Sequence, residues 1–89
     1  MRIIYDCFEI RELEPKKFEV VKWKDKQCSS TCIVIAFIEE QKEDYELRSV
    51  GMRFVEEYST GLAEFITKFV DYLMCLKELR ERGAENDNT

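Results

Sequence analysis

Two cysteines in a short hydroxyl-rich segment are the residues of this chain that most resemble catalytic or metal-binding groups. They lie in Cys28-Ser29-Ser30-Thr31-Cys32. Thiols act as nucleophiles or as zinc ligands, but the chain has no histidine to serve as a general base or to complete a common zinc site. We therefore predict free thiols, no metal, no cofactor and no enzymatic activity, and keep a small thiol-dependent or metal-binding protein as an alternative.

A second group of residues could bind through its negative charge. It is an acidic segment whose carboxylates are interrupted only by Gln41, Lys42 and Tyr45. Carboxylates gathered on one side of a small protein can bind a basic groove on another protein. The partner-binding residues that we predict are Glu39, Glu40, Glu43, Asp44 and Glu46.

A third group is basic and contains the only tryptophan of the chain. A lysine-rich strand with an aromatic residue could track a single-stranded nucleic acid and stack its bases, which gives an alternative function. The residues of this alternative are Lys16, Lys17, Lys22, Trp23, Lys24 and Lys26. Alternation along a strand, however, places Trp23 on the face opposite Lys22 and Lys24. The net charge of the chain is −5, which disfavours binding to a polyanion. We therefore expect no nucleic-acid partner.

One long helix must follow these groups in the last third of the chain. Apolar residues recur there in steps of three and four, which predicts an amphipathic helix from Thr60 to Arg82. We expect Ser59 as its N-cap, Gly83 as its C-cap and a frayed polar tail over residues 84–89. The residues of the predicted apolar stripe are Leu62, Phe65, Ile66, Phe69, Leu73, Leu76 and Leu79.

Strands must position the three groups in the first half, which is rich in β-branched and aromatic residues. The alternation predicts strands over residues 3–13, 18–24, 32–38 and 45–50, with a turn at 14–17 and a loop at 25–31. The apolar face of the first strand changes sides near Cys7 and Phe8, which indicates a β-bulge. The pattern over residues 52–58 fits a strand and a helix equally.

The predicted fold class is therefore α+β. We expect residues 1–83 to form a single domain, an antiparallel meander of about four strands with the long C-terminal helix packed across one face. The third strand is apolar on both sides, since Val34, Ala36 and Ile38 alternate with Ile33, Ile35 and Phe37. One helix covers only one face, so this surplus predicts a homodimer or a partner protein. The alternative is cover by the rest of the chain.

Composition limits the location and the class of the protein. Apolar residues make up 45% of the chain and charged residues 37%, which is typical of a folded domain. No apolar run approaches the roughly 20 residues that span a bilayer, and Asp6 interrupts the apolar opening, so we predict a cytoplasmic protein with no membrane contact.

The functional prediction is a small acidic, non-enzymatic protein interaction module. This profile suits a regulator or inhibitor of a basic partner, including accessory proteins of phages and mobile elements.

Overall fold

The computed structural model describes residues 2–27, 30–50, 54, 58 and 60–87 of the chain. Within these residues, each strand pairs antiparallel with the next strand along the chain, and one helix follows. The predicted fold class, an α+β meander with one long C-terminal helix, is confirmed, although the sheet has five strands. The elements are β1 Arg2–Tyr5, β2 Phe8–Glu14, β3 Lys17–Trp23, β4 Cys32–Glu40, β5 Tyr45–Ser49 and α1 Thr60–Asp87.

The additional strand arises because the first predicted strand is a hairpin. Tyr5 of β1 lies opposite Phe8 of β2, and only Asp6 and Cys7 connect them. Asp6 has a φ of 55°, a left-handed conformation that aspartate tolerates better than most residues. The change of apolar face near Cys7 therefore marks a reversal of the chain, and the prediction of a bulge there was wrong.

A tight turn joins β2 to β3, as the sequence predicts. Pro15 and Lys16 are its two central residues, and Lys16 has a φ of 73°. Proline followed by a residue with positive φ is the pattern of a type II turn, in which the second central position favours glycine. Lys16 therefore adopts a backbone conformation that is unfavourable for a residue with a Cβ.

A bulge in β4 changes the predicted distribution of its apolar side chains. Val20 of β3 pairs with Ala36 while Val21 pairs with Val34, so that Ile35 is the extra residue. Ile35 and Ala36 both belong to the buried core. The prediction that they point to opposite faces was wrong, because strict alternation does not hold across a bulge.

The core lies between α1 and one face of the sheet, which we call the helix face. Four helix residues at the predicted spacing are almost fully buried, namely Leu62, Ile66, Phe69 and Leu73. Phe69 packs edge-to-face against Phe18 of β3, with ring centroids 5.2 Å apart. The strand residues of this core are Phe8, Ile10, Phe18, Val20, Ile35, Ala36 and Ile38.

The helix is longer than predicted, because it continues through Gly83 and ends at Asp87. Leu79, which the sequence assigns to the apolar stripe, is 59% exposed. The predicted N-cap Ser59 and most of the ambiguous segment 52–58 lie outside the described residues, although Phe54 is buried in the core. Among the described residues, no helix is both long and apolar enough to cross a membrane.

Candidate functional site

The five predicted acidic residues lie on two faces of the β4–β5 hairpin. Glu39 and Glu46 are directly opposite each other on the face of the sheet away from α1, which we call the open face. Glu40 pairs with Tyr45 on the helix face. Glu43 and Asp44 are exposed in the connection between the strands. The hairpin therefore gathers four of the five carboxylates at its tip and open face, and directs Glu40 to the other side.

The opposed carboxylates of Glu39 and Glu46 border a small cavity, which we call the acidic cleft. Its volume is about 190 Å³, and its lining residues are Lys17, Phe37, Glu39, Glu46, Arg48 and Val50. Arg48 contacts Glu46 at 3.1 Å, and the Lys17 Nζ atom lies 6.0 Å from the centre of the Phe37 ring. The Glu39 side chain forms no hydrogen bond or ion pair with the residues that the structure describes. Like charges directly opposite in a sheet are destabilising, and at Glu46 this is offset by Arg48 and by the Gln41 amide, which donates to Oε2 at 3.2 Å.

Glu40 lies in a separate, largely buried network. Only 4% of its side chain is exposed, and its Oε1 atom accepts hydrogen bonds from the Tyr45 hydroxyl at 3.0 Å and from Arg80 at 2.9 Å. The Lys16 Nζ atom is 3.6 Å from Oε2. Glu40 therefore connects β4, the β2–β3 turn and α1.

Opposing effects set the pKa of the Glu40 carboxyl. Burial raises the pKa, but the hydrogen bonds from Tyr45 and Arg80 and the charges of Arg80 and Lys16 bring it below its ordinary value of 4.5. Burial, followed by the hydrogen bond to Glu40 and its charge, raises the pKa of Tyr45 to about 12. At neutral pH, the network is an ionised carboxylate that accepts from a protonated tyrosine.

The helix also fixes the tip of the hairpin. The Lys77 Nζ atom donates to the carbonyl oxygens of Gln41 at 3.1 Å and Lys42 at 2.7 Å. The Asp44 side chain accepts from the backbone N–H of Tyr45 at 2.7 Å. These contacts hold the hairpin connection against α1, so the acidic residues beside it are presented on a supported element.

The lysines of the nucleic-acid alternative do not share one surface. Lys16 contacts Glu40 beside the helix, and Lys17 is on the open face. Lys22 pairs with Phe8 and therefore lies on the helix face. Lys26 contacts Asp6 at 3.3 Å. Lys24 continues the chain beyond β3, where its N–H donates to the carbonyl of Thr31 at 2.9 Å. The arrangement gives no continuous basic track for a phosphate backbone.

Trp23 belongs to a charged cluster that the sequence analysis missed. Its indole N–H donates to the Glu9 carboxylate at 2.9 Å, and Glu9 is fully buried on the open face. Arg2 donates a hydrogen bond from Nη2 to Glu9 Oε1 at 3.1 Å. Its Nε atom is 2.9 Å from Glu9 Oε2, and the Arg11 Nε atom is 3.6 Å from the same oxygen. No sequence motif marks this cluster. The only signal in the sequence is the register of β2 and β3, which places Glu9 opposite Val21 on the open face.

The cysteines offer little for catalysis among the described residues. Cys7, Cys32 and Cys75 have free thiols, and Cys28 of the predicted thiol segment lies outside the described residues. No group of three or more potential metal-binding side chains occurs in the part of the chain that the structure describes. The acidic cleft brings two of the predicted partner-binding residues, Glu39 and Glu46, together at an accessible cavity.

Comparison of the chain with protein families, with curated proteins and with solved structures finds no match.

Proposed function

We propose that the protein is a small, non-enzymatic interaction module that binds a basic side chain of another protein in the acidic cleft. The observation that carries this proposal is the pair Glu39 and Glu46, opposed on the open face beside Phe37. An arginine of the partner would stack its guanidinium on the Phe37 ring and donate to both carboxylates. Such a contact relieves the repulsion between the two carboxylates.

Two cations already lie in the acidic cleft, so only part of its negative charge is available to a partner. Arg48 pairs with Glu46, whereas Lys17 is opposite Glu39 in register but forms no ion pair with it within 4 Å among the described residues. An incoming guanidinium therefore binds Glu39 directly, shares Glu46 with Arg48 and displaces Lys17 toward solvent. Recognition by one carboxylate pair and one ring predicts a partner with an exposed arginine, and a moderate, salt-dependent affinity.

The open face extends this surface beyond the cleft. Ile4, which pairs with Glu9 on the open face, is 49% exposed, and the described residues place no helix or strand over this face. Burial of this side chain by a partner would add affinity to the charge contact. A regulator or inhibitor in the cytoplasm is the role that we propose for such a module.

Affinity capture with a double substitution tests this function. Glu39→Gln with Glu46→Gln should abolish retention of the partner that the wild-type chain retains, and raised salt should weaken the wild-type complex. The control is Asp71→Asn with Glu81→Gln, which changes the net charge equally on exposed positions of α1. Equal retention by the Glu39/Glu46 variant and the wild type would refute the proposal.

A further inference from the structure

The sheet has an open edge at β5, whose outer side pairs with no strand among the described residues. Hydrogen-bonded and non-hydrogen-bonded pairs alternate along an antiparallel ladder. Val50 donates to the Ile35 carbonyl at 2.8 Å, and the alternation from this pair directs the backbone groups of Glu46 and Arg48 toward β4. The residues whose N–H and C=O groups point outward are therefore Tyr45, Leu47 and Ser49.

Two of these three residues have outward N–H groups that are available for pairing. The Tyr45 N–H donates to the Asp44 carboxylate at 2.7 Å. Leu47 and Ser49 are exposed, and their N–H groups have no hydrogen-bond acceptor in the part of the chain that the structure describes. The pairing of β5 with β4 contains no bulge, and β5 contains no proline or lysine, which are features that protect an edge. An added strand can therefore form main-chain hydrogen bonds at this edge.

The side chains of β5 determine which strand fits beside it. Glu46 and Arg48 lie on the open face, and Leu47 between them lies on the helix face with 38% of its surface exposed. Directly opposite positions favour unlike charges and disfavour like charges. The best antiparallel strand thus has an acidic residue opposite Arg48, an apolar residue opposite Leu47 and a basic residue opposite Glu46. In its own direction this strand reads acidic, apolar, basic, which is the order of Glu46, Leu47 and Arg48 in β5 itself.

We propose that two copies of this chain form a homodimer by antiparallel pairing of their β5 strands about a two-fold axis through Leu47. The Leu47 side chains of the two copies pack together, and Glu46 of each copy lies opposite Arg48 of the other, so that all contacts share one axis. Main-chain hydrogen bonds join the two Leu47 residues in both directions, and each Ser49 N–H donates to the Tyr45 carbonyl of the other copy. An axis through Glu46 or Arg48 would instead place two like charges opposite each other.

The contact between Glu46 and Arg48 within each chain is retained in this arrangement. The two side chains are 3.1 Å apart, and 46% of Glu46 and 69% of Arg48 remain exposed. Two such pairs side by side in opposite directions form a square of alternating charge, in which each carboxylate has one guanidinium along its strand and another across the axis. Glu39, the carboxylate that a partner protein would bind directly, lies on β4 outside this contact, so the dimer does not rest on the proposed function.

Sedimentation equilibrium of two charge variants, alone and mixed, tests the dimer. We expect the wild type to associate, and Glu46→Arg and Arg48→Glu each to raise the dissociation constant by at least about tenfold, because each places like charges opposite each other. An equimolar mixture of the two variants should form a heterodimer with a constant close to that of the wild type, since their charges are complementary. Both variants keep a net negative charge, so recovery in the mixture would be specific to the pairing.

The control for these variants is Glu64→Arg. This substitution changes the net charge as Glu46→Arg does, at a position of α1 whose side chain is 62% exposed, and the variant should dimerise like the wild type. A wild type that stays monomeric up to about 1 mM would overturn the proposal. A mixture of the two charge variants that associates no better than each variant alone would overturn it as well.

Leu47→Pro provides a second test, which acts on the backbone. Proline removes the outward N–H of residue 47 and no hydrogen bond to β4, so we expect a folded monomer by circular dichroism and sedimentation. The variant keeps both carboxylates of the acidic cleft and should still retain the partner that the wild type captures, which separates this proposal from the proposed function. Dimerisation of folded Leu47→Pro with the wild-type constant would show that the edge of β5 is not the interface.

Discussion

Lys16 has a backbone conformation that a residue with a Cβ adopts only at a cost. Its φ of 73° lies in the left-handed region, at the turn position that favours glycine. We expect Lys16→Gly to be more stable than Lys16→Ala by about 1 kcal/mol, since both lose the lysine side chain but only glycine relieves the backbone. Chemical denaturation of the two variants measures this difference, and equal midpoints would contradict it.

Glu40 makes a contribution to stability that depends on pH. A folded-state pKa below 4.5 means that folding favours the ionised carboxylate, so its contribution is present above the unfolded-state pKa and is lost as the pH falls through the folded-state value. We expect Glu40→Gln to reduce the free energy of unfolding by about 1–2 kcal/mol at neutral pH, and by less at acid pH.

The measurement for Glu40 is denaturation of both proteins across the acid range. Glu43→Gln is its control, because Glu43 is exposed and forms no ion pair within the described residues. A difference between wild type and Glu40→Gln that stays constant from neutral to acid pH would show that the ionised form is not favoured by folding.

Glu9 is the residue whose removal we expect to be most harmful among the carboxylates. Glu9→Ala takes the acceptor from the Trp23 indole and leaves Arg2 and Arg11 close together without their shared anion. The expected loss is about 2 kcal/mol, with a shift in the emission of the single tryptophan. Glu39→Ala, on the same face without an ion pair among the described residues, should change stability by less than about 0.5 kcal/mol.

At the scale of elements, the helix contains a glycine that the sequence analysis assigned to its end. A Cβ added at Gly83 would meet no atom within 4 Å, whereas at Gly61 it would lie 3.0 Å from the Tyr5 hydroxyl oxygen. We expect Gly83→Ala to increase helicity by circular dichroism and to stabilise the last turns by up to about 1 kcal/mol. Gly61→Ala should gain less, because the Tyr5 ring must move; a larger gain at Gly61 would contradict this.

The sequence predicts the type and order of most elements because their periodicity is strong. The positions of Leu62, Ile66, Phe69 and Leu73 follow from helical spacing, and their burial is as expected. The hairpin at Asp6 and Cys7 was missed because its turn lacks glycine, and the bulge at Ile35 was missed because an unbroken apolar run carries no alternation to interrupt. Turn and bulge geometry depends on pairing with a neighbouring strand, which a single strand pattern does not encode.

The acidic cleft was predictable in part for the same reason. The charge of the hairpin is visible in the sequence, and its two strands follow from alternation. The separation of Glu40 from Glu39 and Glu46 follows from the same alternation. The ion pair of Glu40 with Arg80, however, joins residues 40 positions apart, and no local pattern brings them together.

At the scale of the whole molecule, we expect protection from amide hydrogen exchange to follow burial. The central strand β3 and residues 62–73 of α1 should exchange most slowly, and residues 78–87 should exchange fastest within the helix, since residues 78–83 are exposed. Exchange in residues 78–87 as slow as in the core at low concentration would contradict this expectation.

The order of elements along the chain also affects synthesis. Every strand pairs with its predecessor, so the hairpins can form one after another as the chain leaves the ribosome. The apolar side chains that cover the sheet come from residues 62–73 and from Phe54, after all five strands. A sheet that formed before the helix emerged would leave Phe18, Val20 and Ile38 uncovered. We expect a chaperone to bind the chain, or the chain to aggregate, during this interval.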